Sequence, residues 1–216
     1  MKKNKFMTAI CVLSTFVGAN LQAKETKTKK VSNTNSSNKN SATKKSSTTT
    51  HNTGIYSISS KNTSPLLETK MAELKQRHAK VMASGSAQEK RKVNIEKKLL
   101  TSYSKWKGTK YKLGGDSKEG IDCSALTRRV YRETFNQELP RVSTQQIKKG
   151  PRVAGKDLKS GDIMYFRPDN RIDHTAVYVG NSIFINASSS KGVVVSSLKS
   201  PYWRKYFKYG VRAHKA

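Results

Sequence analysis

Three polar residues of the sequence have types and spacing that suit nucleophilic catalysis, namely Cys123, His174 and Asn186. Cys123 stands in the stretch GIDCSAL, where Gly120 permits a turn and Asp122 is suited to cap a helix that begins at the cysteine. The free backbone N–H groups and the dipole at such a helix end stabilise a thiolate, which is the reactive form of cysteine. Cys123 is therefore a candidate nucleophile.

A thiol nucleophile needs a base, and His174 is the histidine whose position suits that role. The sequence has four histidines. His51 lies in a polar segment, His78 is expected to be a solvated side chain on an outer helix, and His214 lies close to the end of the chain. Only His174 begins a predicted strand of the folded domain.

Asn186 lies in the next predicted strand and is expected to orient His174. A three-residue loop centred on Gly180 would set residues 174 and 186 directly opposite each other on one face of a hairpin, whereas a two-residue loop would set them on opposite faces. With the longer loop, the side-chain oxygen of Asn186 would accept a hydrogen bond from the imidazole, as in a papain-type triad. The alternative is that Cys123 is an inert core residue and His174 is structural.

The start of the chain predicts export. A short positive segment, MKKNK, precedes the apolar run FMTAICVLSTFVGA, which has the length of a signal-peptide core, and cleavage is expected after Ala23. The run is too short to span a bilayer, so no transmembrane segment is expected after cleavage. The expected location is the periplasm or the cell envelope, with secretion as the alternative.

Export changes what the two cysteines can do. Cys11 lies in the predicted signal peptide (residues 1–23), so the mature chain would keep Cys123 alone. A lone cysteine cannot form an internal disulfide, and a structural zinc site would need several further ligands. Neither a disulfide nor a metal is expected, and no cofactor is expected.

Composition and periodicity divide the chain into four parts. Residues 24–65 are almost all Lys, Ser, Thr and Asn, which predicts a disordered linker. Residues 66–89 are predicted to be a helical basic extension, and residues 90–216 a catalytic domain. In that domain, helical stretches are followed by the short runs DIMYF, HTAVYVG, SIFINAS and GVVVSSL, which predict antiparallel strands and an α+β fold. Its size suits a monomer.

The charge of the chain narrows the classes of partner that it is expected to bind. Lys and Arg number 43 against 14 Asp and Glu, so the formal net charge is +29. Such a field attracts polyanions, which include nucleic acids, anionic lipids and cell-wall polymers. Because export is predicted and no nucleic-acid recognition motif is present, nucleic acid is not expected as a partner. Anionic cell-envelope polymers are expected to bind the basic tail.

The sequence resembles the NlpC/P60 family of bacterial cell-wall cysteine peptidases, particularly its Gram-negative murein endopeptidase branch. The matching stretches cover about residues 95–214 and follow the order of the family: GTKYKLGGDSKEGIDCSALTRRVY, LPRVSTQQ, LKSGDIMYFRP, HTAVYVGNSIFINASSSKGVVVSSL and PYWRKYFKYGVRA. The resemblance implies a papain-like fold with the nucleophile at a helix N-terminus, and a peptidase that hydrolyses peptide bonds in peptidoglycan stem peptides or cross-links. Carried over by position, Cys123 would be the nucleophile, His174 the base and Asn186 the third catalytic residue.

The resemblance also implies substrate-binding residues and shows two departures. Tyr111 would help the oxyanion or line the site, and Asp122 and Ser124 would contact the substrate. Asn186 stands where most relatives have His, and Ala125 stands where most have Gly. These departures leave two alternatives: a catalytically weak or silent peptidoglycan-binding protein, and an amidase or acyltransferase on the same fold.

Overall fold

The computed structural model describes residues 64–169 and 173–214 of the 216-residue chain. The predicted signal peptide lies outside these residues, with Cys11, and so does nearly all of the predicted linker, with His51. The predicted division into four parts therefore stays a prediction. Among the helices of the described ranges, none combines the length and the apolar character needed to cross a membrane.

Helices and an antiparallel sheet make up the described part of the chain. The α-helices are α1 (Pro65–Ser84), α2 (Ala87–Trp106), α3 (Cys123–Phe135), α4 (Ser143–Gln146) and α5 (Pro201–Tyr206), with a 3-10 helix at Gly155–Asp157. The strands are β1 (Asp116–Ser117), β2 (Gly120–Ile121), β3 (Arg152–Val153), β4 (Ile163–Phe166), β5 (His174–Gly180), β6 (Ile183–Ser188), β7 (Gly192–Ser197) and β8 (Phe207–Val211). The first two strands pair with each other, and the other six form one sheet in the order β3-β8-β4-β5-β6-β7, with antiparallel pairing throughout. The predicted α+β fold is confirmed.

The two long helices begin at residues that suit helix starts. Pro65 occupies the first turn of α1, where its missing N–H costs no hydrogen bond. Ser86 starts α2 with a capping box, because its hydroxyl accepts from the Glu89 amide and the Glu89 carboxylate accepts from the Ser86 amide. The predicted boundary between the extension and the domain, at residues 89 and 90, falls inside α2.

Each face of the large sheet carries its own apolar core. Since successive residues of a strand point to opposite faces, the two cores draw on alternate positions. The core beneath the helices combines strand residues with residues of α2 and α3, including Val177, Val179, Ile185, Leu99, Leu126 and Val130. The opposite core contains Met164, Phe166, Ala176 and Phe184, with Trp203 and Phe207 packed against them. α5 and the residues after it thus cover the second face.

His78 differs from its prediction. The prediction of a solvated side chain is wrong, because His78 is only 4% exposed and its Nε2 lies 2.6 Å from Oε2 of Glu96. Glu96 is fully buried, pairs with Arg77 as well, and accepts from the Ser160 hydroxyl at 2.9 Å. The carboxylate stands 18 residues further along the chain, on the next helix, so local polarity could not reveal it. This network joins α1 to α2 and to the loop before β4.

The hairpin between β5 and β6 also differs from its prediction. Its loop has two residues, Asn181 and Ser182, whose φ values of 51° and 63° suit a type I′ turn. Gly180 pairs with Ile183, but Tyr178 pairs with Phe184, so one extra residue of β5 forms a β-bulge. The predicted three-residue loop is wrong.

The bulge decides which side chains share a face. When the register of Val177 with Ile185 is extended by one residue, Asn186 falls opposite Ala176, so it does not lie directly opposite His174 as predicted. The two residues are nevertheless on the same face, in diagonal positions on neighbouring strands. With the two-residue turn and no bulge, Asn186 would lie opposite Val177 and face the helix-side core.

Candidate active site

Cys123 is the first residue of α3, and Asp122 sets its position. The Asp122 carboxylate caps the helix by accepting from the Ala125 amide at 2.8 Å, as the sequence predicts. The Cys123 side chain is 6% exposed, and its Sγ lies 4.0 Å from the carbonyl oxygen of Asp173. The thiol therefore lies against the start of β5, next to the residue predicted as the base.

The helix end does not make this thiol acidic. Burial raises the pKa of Cys123 above its ordinary value of 9.0, and this effect outweighs the backbone amides of Thr175, Ser124 and Cys123 itself. The negative charge of Asp122 raises the pKa further. The resting nucleophile is thus a protonated thiol, and it needs a base to react.

His174 opens β5 and packs against two aromatic rings. Its imidazole stacks on the indole of Trp203, with ring centroids 5.5 Å apart at 29°, and tilts against Phe166 at 5.9 Å. Burial lowers the pKa of His174 from 6.5 to about 4. The ring is therefore neutral at physiological pH and is able to accept a proton.

The imidazole and the thiol lie in one region without a hydrogen bond between them. Sγ of Cys123 contacts the main chain at Asp173, and Nε2 of His174 is buried with no hydrogen-bond partner among the described residues. Such an unpartnered buried nitrogen is uncommon in folded proteins, and a catalytic role is one of the explanations for it.

Asn186 is fully buried and offers an acceptor to the same face of the sheet. Its Nδ2 donates to the Ser196 hydroxyl at 2.9 Å and to the Val194 carbonyl at 3.4 Å. Its Oδ1 has no partner within the described residues. A protonated Nε2 of His174 and this oxygen are complementary, because one donates and the other accepts.

Arg141 is a site residue that the predictions missed. Its guanidinium contacts both carboxylate oxygens of Asp122, at 2.7 and 2.9 Å, and also contacts the Ser124 hydroxyl at 3.0 Å. Burial alone would raise the pKa of Asp122, but hydrogen bonds from Arg141, the Ala125 amide and Ser124 outweigh it and hold the pKa below 3.8. Asp122 and Ser124 are both buried, so their predicted contact with substrate stays a prediction.

Gln146 was also missed, and it connects the two halves of the site. Its Nε2 donates to the carbonyl oxygens of Ser124 and Pro140 at 2.8 and 2.9 Å, and its Oε1 accepts from the Thr175 hydroxyl at 3.0 Å. The side chain is fully buried. It therefore ties the first turn of α3, which carries Cys123, to the second residue of β5. Both missed residues belong to the stretch LPRVSTQQ, but spacing alone does not reveal their partners.

A cleft of about 990 Å³ opens over the imidazole. Its lining includes Tyr111, His174, Trp203 and the turn at Ser188–Lys191. Burial raises the pKa of Tyr111, and the negative charge that Cys123 can carry raises it further, so the phenol lies near the thiol and stays protonated. Tyr111 lines the cleft, and its part in catalysis stays a prediction. The described residues contain no group of three or more His, Cys, Asp or Glu side chains that could hold a metal ion.

Known proteins are similar to this chain over the region that carries the site. The sequence profile of the NlpC/P60 family matches residues 108–212. The murein DD-endopeptidase MepS/murein LD-carboxypeptidase of Escherichia coli (strain K12) is 41% identical over 117 residues, which are 54% of this chain and 62% of the relative. The probable endopeptidase NlpC of the same strain is 38% identical over 104 residues, 47% of this chain and 68% of the relative.

A solved structure agrees with these sequence matches. The crystal structure of an NlpC/P60 family protein from Bacillus cereus superposes with a TM-score of 0.50 at 25% identity, over 55% of this chain and 40% of that one. The chain spans about 60% of the length of its first curated relatives. The cysteine, the histidine and the six-stranded sheet lie within the residues that the family profile matches. The chain belongs to the NlpC/P60 family.

Proposed function

We propose that the protein is an exported cysteine endopeptidase that hydrolyses peptide bonds in peptidoglycan stem peptides or cross-links. The observation that carries the proposal is the position of the Cys123 thiol, which lies against the main chain at Asp173, directly before His174, whose side chain lines an open cleft. The names of the two E. coli relatives, which are a murein endopeptidase and a probable endopeptidase, support the same reaction and substrate.

In the proposed reaction the base acts during the attack. As Sγ of Cys123 forms a bond to the scissile carbonyl carbon, the neutral imidazole of His174 takes the thiol proton. The resulting imidazolium gives this proton to the leaving amine when the C–N bond breaks. Water, activated by the same imidazole, then hydrolyses the thioester and restores the thiol.

The developing oxyanion would be stabilised at the start of α3. The backbone N–H of Cys123 is one donor, since the first amides of a helix have no partner within the helix. The hydroxyl of Tyr111 is the second. Its raised pKa keeps it protonated, so it can donate over the whole physiological range.

Asn186 is proposed to orient the base. Its Oδ1 would accept a hydrogen bond from Nε2–H of His174, which leaves Nδ1 to take the thiol proton. Two observations support this role: both atoms are buried without a partner among the described residues, and both side chains lie on one face of the sheet.

Substrate contacts are proposed for the group formed by Asp122, Ser124 and Arg141. The Arg141 side chain is 32% exposed and is held by Asp122, so it presents charge from a fixed position near the nucleophile. A peptide carbonyl or carboxylate group is the chemistry that a guanidinium recognises.

The location and the further partners follow from the substrate. We propose that the protein works in the periplasm or the cell envelope, as a monomer. We also propose that the basic tail, residues 24–65, binds anionic envelope polymers. The net charge of +29 supports this last partner, because it favours any polyanion near the substrate.

The test uses purified sacculi with the mature protein and with its Cys123→Ala variant. We expect the wild type to release peptide-containing fragments whose masses identify the bond that is cut, and the variant to release none. Sacculi that bind the wild type without losing fragments would support the silent binding protein instead. Release by Cys123→Ala equal to that of the wild type would rule out the thiol mechanism.

A further inference from the structure

We infer that Trp203 is a positioning residue for the catalytic base, because its indole fixes the plane of the His174 imidazole and keeps water from it. The inference rests on the proposed function, in which His174 must be unprotonated before the attack. It assigns a role to α5, which carries none of the residues predicted to be catalytic.

The imidazole packs against two aromatic side chains that also contact each other. Trp203 stacks on it at 5.5 Å and 29°, and Phe166 lies at 5.9 Å and 59°. His174 is only 9% exposed although it borders an open cleft. The indole, which lines the same cleft, covers part of the imidazole surface by stacking on it.

Trp203 is itself held rigidly. Its ring makes edge-on contacts with Phe166 at 5.0 Å, with Phe184 at 5.2 Å and with Tyr202 at 5.1 Å. Aromatic pairs of this kind fix ring orientation and contribute energy beyond their buried area. A side chain anchored on strands β4 and β6 can define the orientation of a neighbouring ring.

Burial, more than charge, sets the protonation of His174. Burial is the cause that lowers its pKa to about 4. The described charged or titratable groups around it include Cys123 and the cleft residues Tyr111 and Lys191. Asp122, Arg167, Asp173, Arg204 and Lys205 lie on the neighbouring elements. Asp122 is paired with Arg141, and Arg167 with Asp173 at 3.1 Å. Lys205 contacts Asp169 at 3.2 Å, Arg204 is exposed, and Asn186 carries no charge.

The test measures the pKa of His174 directly, by NMR titration of its ring carbon in the full chain. We expect a value near 4 in the wild type, a higher value in Trp203→Phe, and a rise of at least about 1 pH unit toward 6.5 in Trp203→Ala, because the indole no longer excludes water. Trp106→Phe is the matched control. It removes the other tryptophan, which bonds to Glu133 on α3, and should leave the titration unchanged.

A kinetic measurement accompanies the titration. The acidic limb of kcat/KM should move upward by the same amount as the pKa, while a merely structural role would lower activity without moving the limb. A His174 pKa in Trp203→Ala that matches the wild type would overturn the inference. If Trp203→Ala does not fold, the His174 pKa of Trp203→Phe is compared with that of the wild type. A higher value supports the inference, and an equal value overturns it. If the wild type hydrolyses nothing, the proposed function fails, and the titration still tests the role of Trp203.

Discussion

Burial shifts the pKa values of Cys123 and His174 in opposite directions. It raises the pKa of the thiol above 9.0 and lowers that of the imidazole to about 4, so both groups are neutral between these values. A neutral pair cannot rely on a preformed thiolate. The proton must move as the substrate is attacked, which makes the orientation of the imidazole the critical variable.

The first prediction concerns pH. Protonation of His174 removes the base, so kcat/KM on a soluble stem peptide should be flat through neutral pH and should fall only as the pH drops toward about 4. The measurement is a pH–rate profile over the range in which the protein stays folded. An acidic limb near 6.5 would contradict a buried base.

The second prediction concerns Asn186. Asn186→Ala should lower kcat by at least about 10-fold because the imidazole loses the acceptor that would select its tautomer, and Asn186→His should retain more activity than Asn186→Ala. Ser196→Ala is the control, since it removes a partner of Nδ2 and leaves Oδ1 in place. Equal rates in the wild type and both Asn186 variants would remove this residue from the mechanism.

The third prediction concerns the ion pair between Arg141 and Asp122. Arg141→Met should lower the free energy of unfolding by about 2 kcal/mol, between the values for exposed and buried pairs. The folded-state pKa of Asp122 lies below 3.8, so this contribution is complete above pH 3.8 and is lost as the pH falls through the folded-state value. Urea unfolding of both proteins at neutral and at acidic pH measures the difference. A difference that grows on acidification would contradict this assignment.

At the scale of elements, the two N-terminal helices are joined to the sheet by one buried carboxylate. Glu96 binds Arg77 and His78 on α1 and Ser160 in the loop before β4. It also lies against Gly180, where an added Cβ would come within 2.8 Å of Oε1. The β-bulge next to Gly180, which decides the face on which Asn186 lies, therefore packs against the carboxylate that binds α1.

The fourth prediction follows from this contact. Glu96→Ala should lower the free energy of unfolding by about 3 kcal/mol, the lower end of the range for breaking a buried pair, because Arg77 is partly exposed. Activity should fall as well if the packing at Gly180 holds the bulge. Glu89→Ala on the same helix removes only the capping box and should cost about 1 kcal/mol. An equal decrease in the free energy of unfolding in the two variants would contradict the role of Glu96.

Local elements were predictable from the sequence where their cause was local. The cap at Asp122, the start of α2 and strands β4 to β7 follow from capping residues and from apolar spacing. Strand β8 was not predicted, since it pairs with β3 and β4 from the far end of the chain. The bulge before Gly180 was missed because it lies at the end of β5, where only Gly180 follows the extra residue and the alternation of the strand does not continue.

The site residues also divide into those that the sequence reveals and those that only the folded structure reveals. Cys123, His174, Asn186 and Tyr111 stand out by residue type and by resemblance. In the structure, His174 and Tyr111 line one cleft, and the Cys123 thiol lies against the main chain just before His174. Arg141 and Gln146 act through contacts with residues 19 and 22 positions away, respectively, and no spacing rule covers these contacts. The raised pKa of the thiol was also not predictable, because the degree of burial depends on the packing of α3 against β5.

At the scale of the whole molecule, the positive charge gives the fifth prediction. Attraction between a chain of +29 and an anionic wall is screened by salt, with a screening length of about 8 Å at physiological ionic strength. Activity on sacculi should therefore fall as salt rises, while kcat/KM on a short uncharged peptide stays level. Parallel assays from low to high salt measure both. Equal salt dependence on the two substrates would contradict a role for long-range charge.

The β-bulge at Gly180 imposes an odd–even rule on the length of the chain. Loss or gain of one residue between His174 and Asn186 would exchange the two faces of β6, burying the amide under α3 and turning Ile185 toward Trp203. Loss or gain of two residues would leave each side chain of β6 on its present face and would change only the length of the hairpin. Among length variants of this hairpin, those with function should therefore differ by even numbers of residues.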